Sequence, residues 1–185
     1  MKKLLIILTL FIYFDGSAQE CAIDDYFPLS VGNTWIYKYT TSSNRVKFKV
    51  TNHNIIKGSN SYYRHKIKDS KGNKSIAYYR NENGQNFIFD EVQNKEYINI
   101  PKKPKKGFKW SQNDTWEYEI ININEELQTP VNSYKNLLKI RALQTIHNEK
   151  NKAKVYYLYF KKDIGQVASV VNGKLQTYLT KYSVN

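Results

Sequence analysis

The chain is short of the residues that most often announce chemistry. Among its 185 residues there is one cysteine, Cys21, so a disulfide scaffold is excluded and a cysteine-based zinc site is argued against. Eight glycines and four prolines exclude collagen-like and low-complexity readings. Glycine occurs singly, so there is no P-loop and no G-x-G-x-x-G turn, and no G-x-S-x-G elbow is present. The three histidines, His53, His65 and His147, lie on separate segments without H-x-H or H-x-x-x-H spacing. No cofactor is therefore expected, and no constellation marks the chain as an enzyme.

What is present begins with an export signal. Lys2 and Lys3 precede an apolar run from Leu4 to Phe14, which Asp15 and Gly16 end. That run is too short to cross a bilayer as a mature helix. Gly16-Ser17-Ala18 supplies the small residues a signal peptidase needs, so residues 1–18 read as a signal peptide and 19–185 as a single antiparallel β domain. A buried N-terminal helix is the competing reading, disfavoured because nothing polar punctuates the run. The mature chain is expected to have no transmembrane segment and to be periplasmic or extracellular. Cys21 is open to three readings: a free thiol, a bridge between chains, or a lipid anchor. Gln19 and Glu20 fit the small-residue requirement of lipidation badly.

The net charge is +13, yet only four of the 29 basic residues are arginines. Base and bidentate phosphate recognition lean on arginine, so no nucleic-acid partner is expected. The 20 asparagines and 18 isoleucines match a codon bias that enriches lysine without functional cause. One basic cluster stands out. Lys102, Lys103, Lys105, Lys106 and Lys109 crowd a loop punctuated by Pro101 and Pro104. It reads either as a solvated loop or as a contact for an anionic surface, at roughly 1 kcal/mol per lysine.

The rest of the chain alternates with the period of strands. Trp35, Tyr37 and Tyr39 share a face, as do Val46, Phe48 and Val50, and Tyr63, His65 and Ile67. Beyond the lysine loop, Trp116, Tyr118 and Ile120 alternate with Glu117 and Glu119. Val155 to Phe160 is apolar on both faces and reads as a central strand. Asn83-Gly84 and Asn172-Gly173 are hairpin signals. Ten or eleven short strands result, with a turn of helix possible at 133–137. The fold class is all-β, antiparallel, a strongly curved sheet or open β-barrel of about ten strands.

Candidate site residues follow from this pattern. The mature chain's 15 tyrosines exceed what a core needs, so some sit at its rim or line a ligand surface. Trp35, Tyr37, Trp116, Tyr118 and Tyr157 are the candidates for an apolar or amphipathic ligand such as a lipid. His65 reads as a satisfied, half-buried histidine. Glu117 and Glu119 share a strand face and form the only acid/base couple worth weighing. A solvated acidic edge facing lysine-rich neighbours is the simpler account.

The segment Tyr26-Phe-Pro-Leu-Ser-Val-Gly-Asn-Thr-Trp-Ile-Tyr37 resembles the opening of a family of uncharacterised bacterial secreted proteins and lipoproteins. Gly107-Phe-Lys-Trp110, Thr129 to Leu137 and Tyr157 to Val167 are similar to its later elements. Asn132 and Asp163 stand where that pattern has glycine; both residue types tolerate turns. The resemblance implies a curved antiparallel sheet at the cell envelope and carries over no activity and no catalytic residues. The combined expectation is an envelope protein that binds an apolar ligand. A module docking through Lys102–Lys109 is the alternative.

Overall fold

The computed structural model describes residues 25–145 and 154–185. Residues 1–24 and 146–153, which include Cys21, His147 and the segment read as an export signal, lie outside the described residues. Twelve strands form one sheet. The first six are β1 (Thr34–Tyr39), β2 (Arg45–Lys57), β3 (Asn60–Asp69), β4 (Lys74–Glu82), β5 (Gln85–Asp90) and β6 (Lys95–Ile100). The second six are β7 (Lys109–Gln112), β8 (Trp116–Gln128), β9 (Ser133–Gln144), β10 (Lys154–Lys161), β11 (Gly165–Val171) and β12 (Lys174–Ser183). Every pairing is antiparallel, in the order β6-β5-β4-β3-β2-β1-β12-β11-β10-β9-β8-β7. The first and last strands pair, from Thr34↔Ser183 to Tyr39↔Thr177, and join two six-strand meanders. The outer edges then approach each other, and the Trp110 indole N–H donates to the Ile98 carbonyl at 3.0 Å. The sheet is thus nearly closed into a barrel, as the strand periodicity implies.

Local chemistry explains the turns. Asn83-Gly84 and Asn172-Gly173 have φ of 51° and 79°, and 50° and 72°. Two successive left-handed residues match the twist of the flanking strands, and asparagine and glycine pay least for them. Asp163, at φ 61°, takes the left-handed geometry that glycine would otherwise supply.

Two expectations are corrected. Among the described residues the strands number twelve rather than ten or eleven, because the short β7 also pairs. Residues 133–137 open β9 and are not helical. The sequence misleads there because Leu137 and Leu138 are adjacent and both fully buried, which simple alternation forbids. The β9–β10 ladder runs unbroken through Leu138↔Phe160 and Leu137↔Lys161, so the two leucines face opposite sides of the sheet, and each is buried in a different core cluster.

The core has two clusters. One gathers Trp35, Val50, Tyr134, Leu137, Tyr159, Val167 and Leu179. The other gathers Ile100, Trp110, Ile120, Leu138, Ile140 and Phe160, with Tyr26 and Phe27 packed against it. On the face of β3–β6 opposite His65, Glu96 receives Arg80 in a bidentate pair at 2.5 and 2.6 Å, and the Tyr62 hydroxyl as well.

The segment before β1 closes one end of the barrel. The Val50 amide donates to the Asn33 carbonyl at 3.0 Å, and the Asp163 amide donates to the Asp25 carbonyl at 2.8 Å. Gly165, at φ 101°, lies beneath this plug, and a Cβ there would meet Trp35 Nε1 at 3.4 Å and Pro28 at 3.7 Å. Gly165→Ala is expected to cost about 1–3 kcal/mol from backbone strain, because the new methyl would sit at ordinary packing distances. Gly72→Ala, at φ 92° with open space around it, should cost about the same. Urea unfolding of both variants checks this; a much larger loss at Gly165 would mean that Trp35 and Pro28 do not accommodate the methyl.

Candidate functional site

Inside the barrel, between the plug and the ends of β1, β2 and β12, is a cavity of about 240 Å³. Register builds its walls. Trp35 lies opposite Phe48 and Tyr37 opposite Val46, so β1 and β2 present four apolar side chains to one face. His65 lies opposite Val50 in the β2–β3 ladder, and Tyr63 opposite Tyr79 in the next, so that face continues onto β3 and β4. Phe27 and Pro28 enter from the plug, and Gly165 and Gln166 from β11. Tyr39 and Thr177 complete the lining near the far end.

Aromatic stacking fixes the floor. The His65 ring lies between Phe27 and Trp35, nearly parallel to each, with centroids at 5.6 and 6.0 Å. Tyr79 tilts against it at 4.7 Å and against Phe27 at 4.6 Å. Two hydrogen bonds hold the wall. The Trp35 indole donates to the Ile164 carbonyl at 2.6 Å, and the Tyr37 hydroxyl to the Gln166 carbonyl at 2.8 Å.

The cavity is uncharged. Among the described residues no Lys, Arg, Asp or Glu lines it. Burial pulls the His65 imidazole down to about 4, so it is neutral at physiological pH. Burial also pushes the Tyr37 phenol up, and the Tyr79 phenol up to about 12. His65 is only 2% exposed, and its Nε2 has no hydrogen-bond partner among the described residues. The histidine is therefore neither half-buried nor satisfied, contrary to the expectation from sequence. Its phase in β3 places it inward, but its surroundings come from segments distant in the chain.

The candidates from sequence separate in space. Trp35 and Tyr37 line the cavity; Trp116, Tyr118 and Tyr157 do not. Tyr118 stacks on Trp110 at 5.2 Å and donates its hydroxyl to Gln112 Oε1 at 2.9 Å. Trp116 packs on Tyr118 and Tyr156 and borders a separate depression with Ser111, Asn113 and Asp114. Tyr157 lies on the opposite face of β10 from Tyr156, with the Lys139 ammonium 5.3 Å from its ring centroid. Phe27, Phe48, His65 and Tyr79 were missed as lining residues. Only Phe27 carried a signal, its place in the Phe-Pro-Leu element. Glu119 accepts Arg141 at 2.9 Å, so the weighed acid/base couple is split by an ion pair. Lys102, Lys103, Lys105, Lys106 and Lys109 are all exposed. Among the described residues no three His, Cys, Asp or Glu side chains gather to hold a metal ion.

No family model and no curated protein matches the chain. Among solved structures it is similar to a candidate lipoprotein from Parabacteroides distasonis, at 15% identity and a TM-score of 0.53. The match covers 85% of this chain and 98% of that one. At that identity the likeness shows the fold: a twelve-stranded antiparallel sheet rolled nearly into a barrel.

His65 makes stability depend on pH with a defined sign. Its folded value of about 4 lies below the unfolded value of 6.5, so the unfolded chain takes up the proton first. Stability is full above 6.5, falls as pH drops through that window, and levels off below about 4. The total loss is about 3 kcal/mol. His65→Phe should remove that part of the pH dependence, as read by urea midpoints at a series of pH values. A wild-type slope that persists in the variant would assign the effect to other groups.

Proposed function

We propose that the protein is an exported, envelope-associated binding protein that holds a small, uncharged apolar or amphipathic ligand in the aromatic cavity. The observation that carries this reading is a space walled by Phe27, Trp35, Tyr37, Phe48 and Tyr79 with no ionised group in its lining. Apolar side chains ordinarily close up to crystal-like density, so a space kept open among them is a place for a ligand. An ionised ligand would leave its charge unpaired there, at a cost of several kcal/mol. A neutral one would gain about 25 cal/mol for each Å² of apolar surface it hides. The volume of about 240 Å³ equals roughly eight waters, so the ligand, or the part of it held inside, has on the order of ten heavy atoms.

Export is supported by the basic, apolar and small-residue succession of residues 1–18. Association with the envelope is supported by the resemblance to secreted proteins and lipoproteins, and by the fold shared with the Parabacteroides candidate lipoprotein. Binding without chemical conversion is the simplest use of walls that offer no charged side chain.

Native mass spectrometry of the protein purified from its own host, before and after organic extraction, tests the reading. The expected result is an excess mass that extracts away and is absent from a Val46→Trp variant, whose indole fills the cavity near Tyr39. A bare polypeptide mass, together with no uptake of a neutral apolar fluorophore by the extracted protein, would overturn it.

A further inference from the structure

The loop between β6 and β7 and the start of β7 gather five lysines, and their setting narrows what they meet. Lys102, Lys103, Lys105, Lys106 and Lys109 are exposed, and the ion pairs among the described residues are made elsewhere. Glu119 faces Lys109 across the β7–β8 ladder, but its carboxylate is taken by Arg141. Phe108, among these lysines, is 44% exposed. The loop is held in shape: the Gly107 amide donates to the Ile120 carbonyl at 2.8 Å, the Ile120 amide to the Phe108 carbonyl at 2.9 Å, and the Phe108 amide to the Lys105 carbonyl at 3.1 Å. The backbone that carries Phe108 and its neighbouring lysines is therefore ordered before contact, which lowers the cost of docking.

The meander fixes where this loop sits. In a sheet paired antiparallel throughout, even strands end and odd strands begin at one rim. That rim carries the lysine loop and the plug through which the chain enters β1. Tyr26 and Phe27 pack against the cluster that contains Ile100, the residue just before the loop. Asp25, where the described chain begins, thus lies on the same side as the lysines. Tyr39, Val46 and Thr177, the cavity residues nearest the other rim, lie away from it.

We infer that this rim docks on an anionic phospholipid bilayer, with the lysines on the headgroups and the Phe108 ring in the interfacial layer. The ring is what distinguishes a bilayer from a soluble polyanion, because only a bilayer offers apolar depth beside negative charge. In the docked pose the cavity's far end remains free.

Flotation of the purified protein with vesicles of phosphatidylcholine, alone or mixed with phosphatidylglycerol, tests this. Binding is expected only to the anionic vesicles and is expected to fall in high salt. Replacing the five loop lysines by serine should lower partitioning by roughly three orders of magnitude, as five charges worth about fivefold each near an anionic surface supply. Replacing Lys47, Lys49, Lys66 and Lys68 by serine removes nearly as much charge and should change it little. Phe108→Ser, a mild exposed change, should weaken binding several-fold with all charges intact. The inference is overturned if the wild type ignores anionic vesicles, or if both lysine variants lose binding equally. It is also overturned if Phe108→Ser binds as the wild type does while a soluble acidic polysaccharide competes fully, which would make the loop a polyanion site.

Discussion

The indole N–H of Trp35 bonded to the Ile164 carbonyl is the tie on which the two halves of the barrel depend. Trp35 belongs to the first meander, and Ile164 to the turn that opens β11 in the second. A bond of 2.6 Å between them bridges the β1–β12 seam beside the plug. The same ring stacks on His65, leans over Gly165 and lies opposite Phe48 in the β1–β2 ladder. Trp35 is 5% exposed, so this geometry exists in a medium where an unpaired indole N–H would be costly. The cavity begins where the ring ends.

The plug and the cavity are linked through this tie. The Asn33 side chain is wholly buried; its amide donates to the Pro28 carbonyl at 3.4 Å, and its oxygen receives the Asn185 amide at 3.0 Å. The segment is thereby fixed to the last residues of the chain, and Phe27 is held against His65 and Tyr79. A histidine with an unpartnered nitrogen is an expensive thing to bury. Burial leaves it neutral, and the Phe27 and Trp35 rings stack against it.

The fold was legible in the sequence because its determinants are local. Alternation in β1, β2 and β3 was visible residue by residue, and Asn83-Gly84 and Asn172-Gly173 marked hairpins by their own conformational preferences. What escaped were features that need a partner strand to exist. Leu137 and Leu138 are both buried only because β9 is covered on both faces, which the strand's own residues do not reveal. The site was legible in part. Trp35 and Tyr37 are in the lining because β1 borders the cavity. Trp116 and Tyr118 have the same alternation and aromatic character but face Trp110 and Tyr156 instead. Nothing in a strand's own residues says which stretch of a barrel's interior it faces. Tyr157 shows the same limit, since both faces of β10 are apolar and only the neighbouring Lys139 reveals its surroundings.

The pairing of β1 with β12 bears on how the chain reaches this state. Apart from it, each ladder joins strands that are neighbours in sequence, and can form soon after its two strands exist. The Thr34↔Ser183 register joins opposite ends of the described chain. Loop closure over that separation makes it a late step, and the two meanders must be shaped before it can occur. Until then β1 and β12 are open edges, one carrying Trp35 and Tyr37 and the other Tyr178 and Leu179. Sticky edges of that kind pair readily between molecules. A chain that docks its final strand slowly is one whose yield on refolding falls steeply with concentration, and one that benefits from an escort while its last strand is unpaired.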